Sequence, residues 1–179
     1  MLKRDIVNAI SDKLEATILG SAAGSATMPA GIFNGVTPET KDITYKRLVD
    51  METALEEANV AGNKCFIVSP SAKGILKTTA KDALYNVTDG GVHTCVGCAG
   101  CLMEENEVNG YPVYCTSNVT SKGVVMGHFE DFVIGQWGGI DLTVDPYTQA
   151  ANGKVRLVIN AYFDAKPRRT GSFQKAILK

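Results

Sequence analysis

Gly138-Gly-Ile-Asp-Leu-Thr-Val-Asp145 and, after a short link, Lys154-Val-Arg-Leu-Val-Ile-Asn-Ala-Tyr-Phe-Asp164 decide the fold. Ile140, Leu142 and Val144 alternate with Asp141, Thr143 and Asp145. That is the period of two of a strand with one apolar face. Val155, Leu157, Ile159, Ala161 and Phe163 alternate in the same way with Arg156, Val158, Asn160 and Tyr162. The link, Pro146-Tyr-Thr-Gln-Ala-Ala-Asn-Gly153, opens on proline and closes on Asn-Gly, both turn formers. The pattern predicts a long antiparallel hairpin, about Gln136–Asp164, with one buried face. Val158 and Tyr162 make its second face half apolar. Either a partner surface or a helix of the same chain covers such a face.

Outward from the hairpin, short strands are predicted at Gly110–Tyr114, Gly123–Met126 and around Phe173–Leu178. Leu2, Ile6, Ile10, Leu14 and Ile18 recur every four residues, which predicts a first helix over Leu2–Leu19 stopped by Gly20. Gly31-Ile-Phe-Asn-Gly-Val36 is a turn-bounded apolar segment expected to tuck into the core. Pro38 is read as the start of a second helix reaching about Ala58, with Leu48, Met51, Leu55 and Ala58 as its apolar stripe. Cys65–Ser69 reads as a buried strand. Ser69 then caps a helix with Pro70 at its first position, running to about Thr79.

The order of these segments resembles the tailed-phage major capsid proteins of the HK97-like fold. Gly110-Tyr-Pro-Val-Tyr114, Gly127-His-Phe-Glu-Asp-Phe-Val-Ile-Gly135, the two hairpin strands and the strand–Ser69-Pro70–helix passage carry the resemblance. It implies an α+β fold with a long spine helix, a long β-hairpin and a mixed helix/sheet axial lobe. Residues 1–35 and 136–165 would form the peripheral lobe, and 36–135 and 166–179 the axial lobe. The implied role is structural: a subunit of a phage or prophage capsid, assembling into hexamers and pentamers that enclose DNA. The implied partners are copies of itself, scaffolding and portal proteins, and packaged DNA touched non-specifically. The implied location is the virion capsid, with assembly in the bacterial host cytoplasm. The family's N-terminal arm and extended loop, which clasp neighbouring subunits, have no counterpart before the spine helix, so this chain is expected to be monomeric or weakly associating. A non-viral nanocompartment shell protein shares the same fold and is the near alternative.

Composition agrees with a globular chain of 179 residues: 45% hydrophobic, 21% charged, net charge −1. Nothing in the charge marks a dedicated nucleic-acid surface, and no apolar run approaches the ~20 residues that span a bilayer. Without a signal peptide the five cysteines are expected to be reduced.

The departure from the family is His93-Thr-Cys95-Val-Gly-Cys98-Ala-Gly-Cys101. Cys95, Cys98 and Cys101 with His93 form a candidate zinc set, with Cys115 an alternative fourth ligand. The plainer reading is a glycine-rich tip loop with small side chains, and no cofactor. For catalysis, a Cys115–His128 pair on consecutive strands is conceivable, but no third group or oxyanion hole is positioned. Ser69-Pro-Ser-Ala lacks the lysine of a Ser-x-x-Lys motif. The chain therefore reads as no enzyme, with no small-molecule substrate. Glu104-Glu-Asn-Glu107 reads as a solvated loop, Trp137 as a core anchor at a strand kink, and Lys166-Pro-Arg168-Arg169 as the densest basic patch.

Overall fold

The strand Cys65–Val68 (β1) forms the middle of the molecule because its side chains are apolar on both faces. Phe66 and Val68 are buried on one side, and Ile67 packs on the other. The computed structural model describes residues 2–81, 86–89, 92–95 and 100–179, with backbone alone at Leu2, Lys3 and the 86–95 strands. In chain order the remaining elements are helices α1 (Leu2–Ile18), α2 (Tyr45–Glu57) and α3 (Pro70–Thr78), and strands β2 (Asn86–Asp89), β3 (Val92–Cys95), β4 (Glu107–Val108), β5 (Tyr111–Cys115), β6 (Gly123–Gly127), β7 (Phe132–Asp145), β8 (Arg156–Pro167) and β9 (Phe173–Ile177).

Five strands make the central sheet in the order β4-β5-β1-β6-β9. β5 runs parallel to β1, and the β1–β6 and β6–β9 pairs are antiparallel. β6 is buried throughout, which suits its Gly-Val-Val-Met-Gly sequence. One face carries Phe66, Val68, Val124 and Met126 under α2 (Leu48, Met51, Leu55) and α3 (Ala72, Leu76). The opposite face carries Val125 and Phe173 beneath the end of α1 (Ile18, Leu19) and the Ile32–Phe33 turn. β2 and β3 pair with each other, as do β7 and β8.

Ser69 caps α3 as expected: its hydroxyl accepts from the Ala72 N–H at 3.2 Å, and Pro70 sits at the first turn. The start of α2 corrects the expectation at Pro38. The helix begins at Tyr45, where the Thr44 side chain accepts from Arg47 N–H. Pro38 instead bridges in parallel to Ile177, and Glu39 N–H donates to the Ile177 carbonyl at 2.8 Å. Tertiary pairing with β9 overrides the local proline signal.

The turn after α1 depends on one close approach. Gly31 N–H donates to Ala22 O at 3.0 Å, Ile32 N–H to Ile18 O at 2.7 Å and Phe33 N–H to Gly20 O at 3.0 Å. A Cβ on Gly31 would lie 2.1 Å from the Gly20 carbonyl oxygen, a backbone atom that cannot swing away. Gly31→Ala is therefore expected to cost about 1–3 kcal/mol, the range for overpacking. Urea unfolding measures it, and an unchanged midpoint would refute the close-approach argument.

Candidate interaction surface

β7 and β8 pair from Phe132–Pro167 at the base to Asp145–Arg156 at the tip, extending the predicted hairpin at its base. The base is anchored. Phe132 and Phe129 meet Phe173 edge-on, with centroids 5.9 and 5.3 Å away. Arg168 N–H donates to Asp131 O at 2.7 Å, Ser172 Oγ bonds Asp131 Oδ2 at 2.5 Å, and Ala165 is buried.

Beyond the base the alternation is right and the burial is not. Ile140, Leu142 and Val144, expected inside, are 50%, 51% and 57% exposed. Their face continues across the ribbon through Leu157 and Ile159, paired with Val144 and Leu142. Trp137 sits at the ladder's irregularity, as its glycine neighbours suggested, but it is 60% exposed and folds over Gly135 rather than anchoring a core. Tyr162 is exposed as well. Between α1 and the ribbon runs an open apolar groove of about 530 Å³, lined by Ile10, Leu14, Met28, Ile159 and Phe163 among others. A contiguous uncovered apolar face of this kind marks a surface built for contact.

The tip is a preorganised knob. The Asp145 carboxylate accepts from Tyr147 N–H at 2.9 Å, from Thr148 N–H at 3.1 Å and from the Thr148 hydroxyl. The Thr148 hydroxyl and then these amides hold its pKa below the ordinary carboxylate value, with Arg156 adding a smaller pull. Tyr147 is presented outward, 85% exposed. Because the folded value is depressed, the stabilisation is present above the unfolded value of about 4 and is lost as pH falls through the folded one. The amide chemical shifts of Tyr147 and Thr148 should hold from pH 7 to about 4 and move together below it. In Asp145→Ala that step should vanish; a step that persists would assign it to another group.

The other candidates separate. Cys115 pairs with Val68 at one end of β1, whereas His128 follows Gly127, which pairs with Cys65 at the other end. The proposed thiol–imidazole pair is thus not assembled. His128 Nδ1 lies 2.9 Å from the Asn63 carbonyl oxygen and its Nε2 lies 3.6 Å from Glu130. Burial pushes the Cys65 thiol up, away from reactivity. Ser69 is a helix cap. Glu104 and Glu107 close a tight bridged turn on the surface, and Glu104 accepts from Cys101 N–H at 3.0 Å. Lys166, Arg168 and Arg169 are exposed where β8 ends.

The His93, Cys95 and Cys98 side chains lie outside the described residues. Cys101 is disulfide-bonded, unlike the reduced thiol expected there, and Cys65 and Cys115 are free. Among the described residues no cluster of three metal-ligating side chains occurs, and no helix is long and apolar enough to cross a membrane.

A sequence profile of the Phage capsid family matches residues 1–176. The "Major capsid protein" of Halomonas phage phiHAP-1 is 31% identical over 133 residues, covering 74% of this chain and 20% of that protein. Among solved structures, the capsid of a native GTA particle superposes with a TM-score of 0.63 at 16% identity, over 99% of this chain and 64% of that one. A Gordonia phage Cozz chain gives 0.61 at 15% identity, over 98% and 62%. The chain therefore spans a fifth of its curated relative and just under two thirds of these solved chains. The α+β fold is HK97-like, as the order of segments suggested.

Proposed function

The chain belongs to the phage capsid family, and from that premise we propose that it is a structural subunit tiling into the hexamers and pentamers of a phage or prophage shell that encloses DNA. The uncovered apolar ribbon carries this reading. Ile140, Leu142 and Val144 stand half exposed on a hairpin whose base is locked to the core. An exposed apolar face of this kind marks a site that a partner covers. Copies of the same chain are that partner. The association is geometric and involves no catalytic step or small-molecule substrate. A phage shell is favoured over a non-viral nanocompartment because the 31%-identical relative is a phage major capsid protein.

In this reading the chain has two lobes: α1 with the hairpin at the periphery, and the central sheet with α2 and α3 near the capsomer axis. Assembly takes place in the host cytoplasm and the product is the virion capsid. Scaffolding and portal proteins are transient partners. Lys166, Arg168 and Arg169 offer a small basic patch for non-specific phosphate contact, with affinity falling steeply as salt rises.

The test is sedimentation and electron microscopy of the purified chain over a concentration series. Weak self-association that grows with concentration, toward rings of five or six, is the expected result. Each contact should exceed the ~1,000 Å² of buried surface that specific interfaces need. A chain still monomeric near ~1 mM, where association is worth less than about 4 kcal/mol, would overturn the reading.

A further inference from the structure

The β7–β8 ladder is broken at one place. Trp137 pairs with Tyr162 and Asp141 with Asn160, so Gly138, Gly139 and Ile140 face Ala161 alone. β7 carries two extra residues at this point. Gly138 takes a positive φ of 74°, which glycine adopts without steric cost. A Cβ built on Gly138 or Gly139 would meet no atom within 4 Å. Close packing therefore explains neither glycine, and empty space surrounds both. A bulge interrupts ladder hydrogen bonds and bends the strand, and paired glycines at the interruption leave the backbone its freest torsions.

The two sides of the break differ in attachment. Below it, Phe132 packs on Phe173, Ala165 is buried, and Arg168 bonds Asp131. Trp137 folds its ring back over Gly135, so it belongs to the anchored side. Above it, Ile140, Leu142, Val144 and Val155 are half or more exposed, and Ile159 lines the open groove beside α1. The tip is internally braced by Asp145, which accepts from the Tyr147 and Thr148 amides.

We propose that the hairpin is a two-part lever: a fixed base and a rigid outer segment (Asp141–Asn160) that swings about a hinge at Gly138–Ile140. The lever lets one chain present the same apolar face at more than one angle. Its use, fitting neighbours in both five- and six-membered rings, rests on the capsid reading. The hinge itself does not.

Residual dipolar couplings on the isotope-labelled full chain, kept dilute and monomeric, test the hinge. Amides of Asp141–Asp145 and Arg156–Asn160 should need an alignment tensor of their own. Their degree of order should fall measurably below the body's. Deleting Gly138 and Gly139 together should merge the tensors. That deletion keeps every side chain on its face, because strands repeat every two residues, and it closes Ile140 onto Ala161. A single tensor for the unmodified chain overturns the proposal, whether or not the deletion variant folds. Two tensors persisting in a folded deletion variant also overturn it, since the pivot would then lie elsewhere. Either result leaves the concentration-series test of assembly untouched, so failure of the hinge and failure of the capsid reading are told apart.

Discussion

Phe66→Ala should lower the melting temperature by about 6–20 °C. The ring is fully buried in β1, between Val113 of β5 and Met126 of β6, and meets Tyr111 edge-on at 6.4 Å. It lies under Leu48, Met51 and Leu55 of α2. Truncating such a ring removes its transfer free energy and leaves a cavity that the flanking strands cannot fill, at a cost of about 3–5 kcal/mol. For a chain of this size each kcal/mol shifts the midpoint by about 2–4 °C. Stabilities of native domains are only about 5–15 kcal/mol, so the variant should sit near the edge of folding. Calorimetry at pH 7 measures the shift. The matching control is Trp137→Ala, a larger deletion on a 60% exposed residue outside the core. A Phe66 effect no bigger than the Trp137 effect would mean that the central sheet is not the stability core.

The features legible in the sequence are those set by local physics. Leu14 and Ile18 on one helical stripe, Ser69-Pro70 at a helix start, and the alternation through Leu142 and Ile159 each declare themselves within a few residues. Chain order then carried the family resemblance. What stayed hidden depends on distant partners. Pro38 looked like a helix start because nothing nearby says that Glu39 will bond Ile177. The parallel pairing of β5 with β1 joins Val113 to Phe66 across helix α3 and strands β2 to β4, and no local pattern encodes it. Alternation around Leu142 specifies two faces but not which is covered. The face expected inside the chain is open, and the proposed assembly rests on that openness. The Cys115–His128 pair failed for a topological reason, since consecutive strands β5 and β6 flank β1 rather than each other.

Leu142→Asp combined with Val144→Asp should abolish ring and shell formation while leaving the monomer folded. Both side chains are more than half exposed, so the substitutions should change stability by no more than about 0.5 kcal/mol each. In an interface the same positions would bury apolar groups worth about 1.5–3 kcal/mol each, and the variant would place unpaired carboxylates there instead. A loss of even ~1.4 kcal/mol per site is tenfold, so two sites weaken each contact by about a hundredfold or more. A closed shell multiplies that loss over every subunit. Tyr114→Asp is the control, similarly exposed at 60% but on β5 of the central sheet, which does not pair with the ribbon. Sedimentation and calorimetry on the three proteins separate the outcomes. Assembly lost only in the ribbon variant, with all melting points alike, assigns the association energy to the Ile140–Val144 face. Unchanged assembly in the ribbon variant would move that energy to another surface, and a collapsed melting point would show that the face is buried within the chain after all.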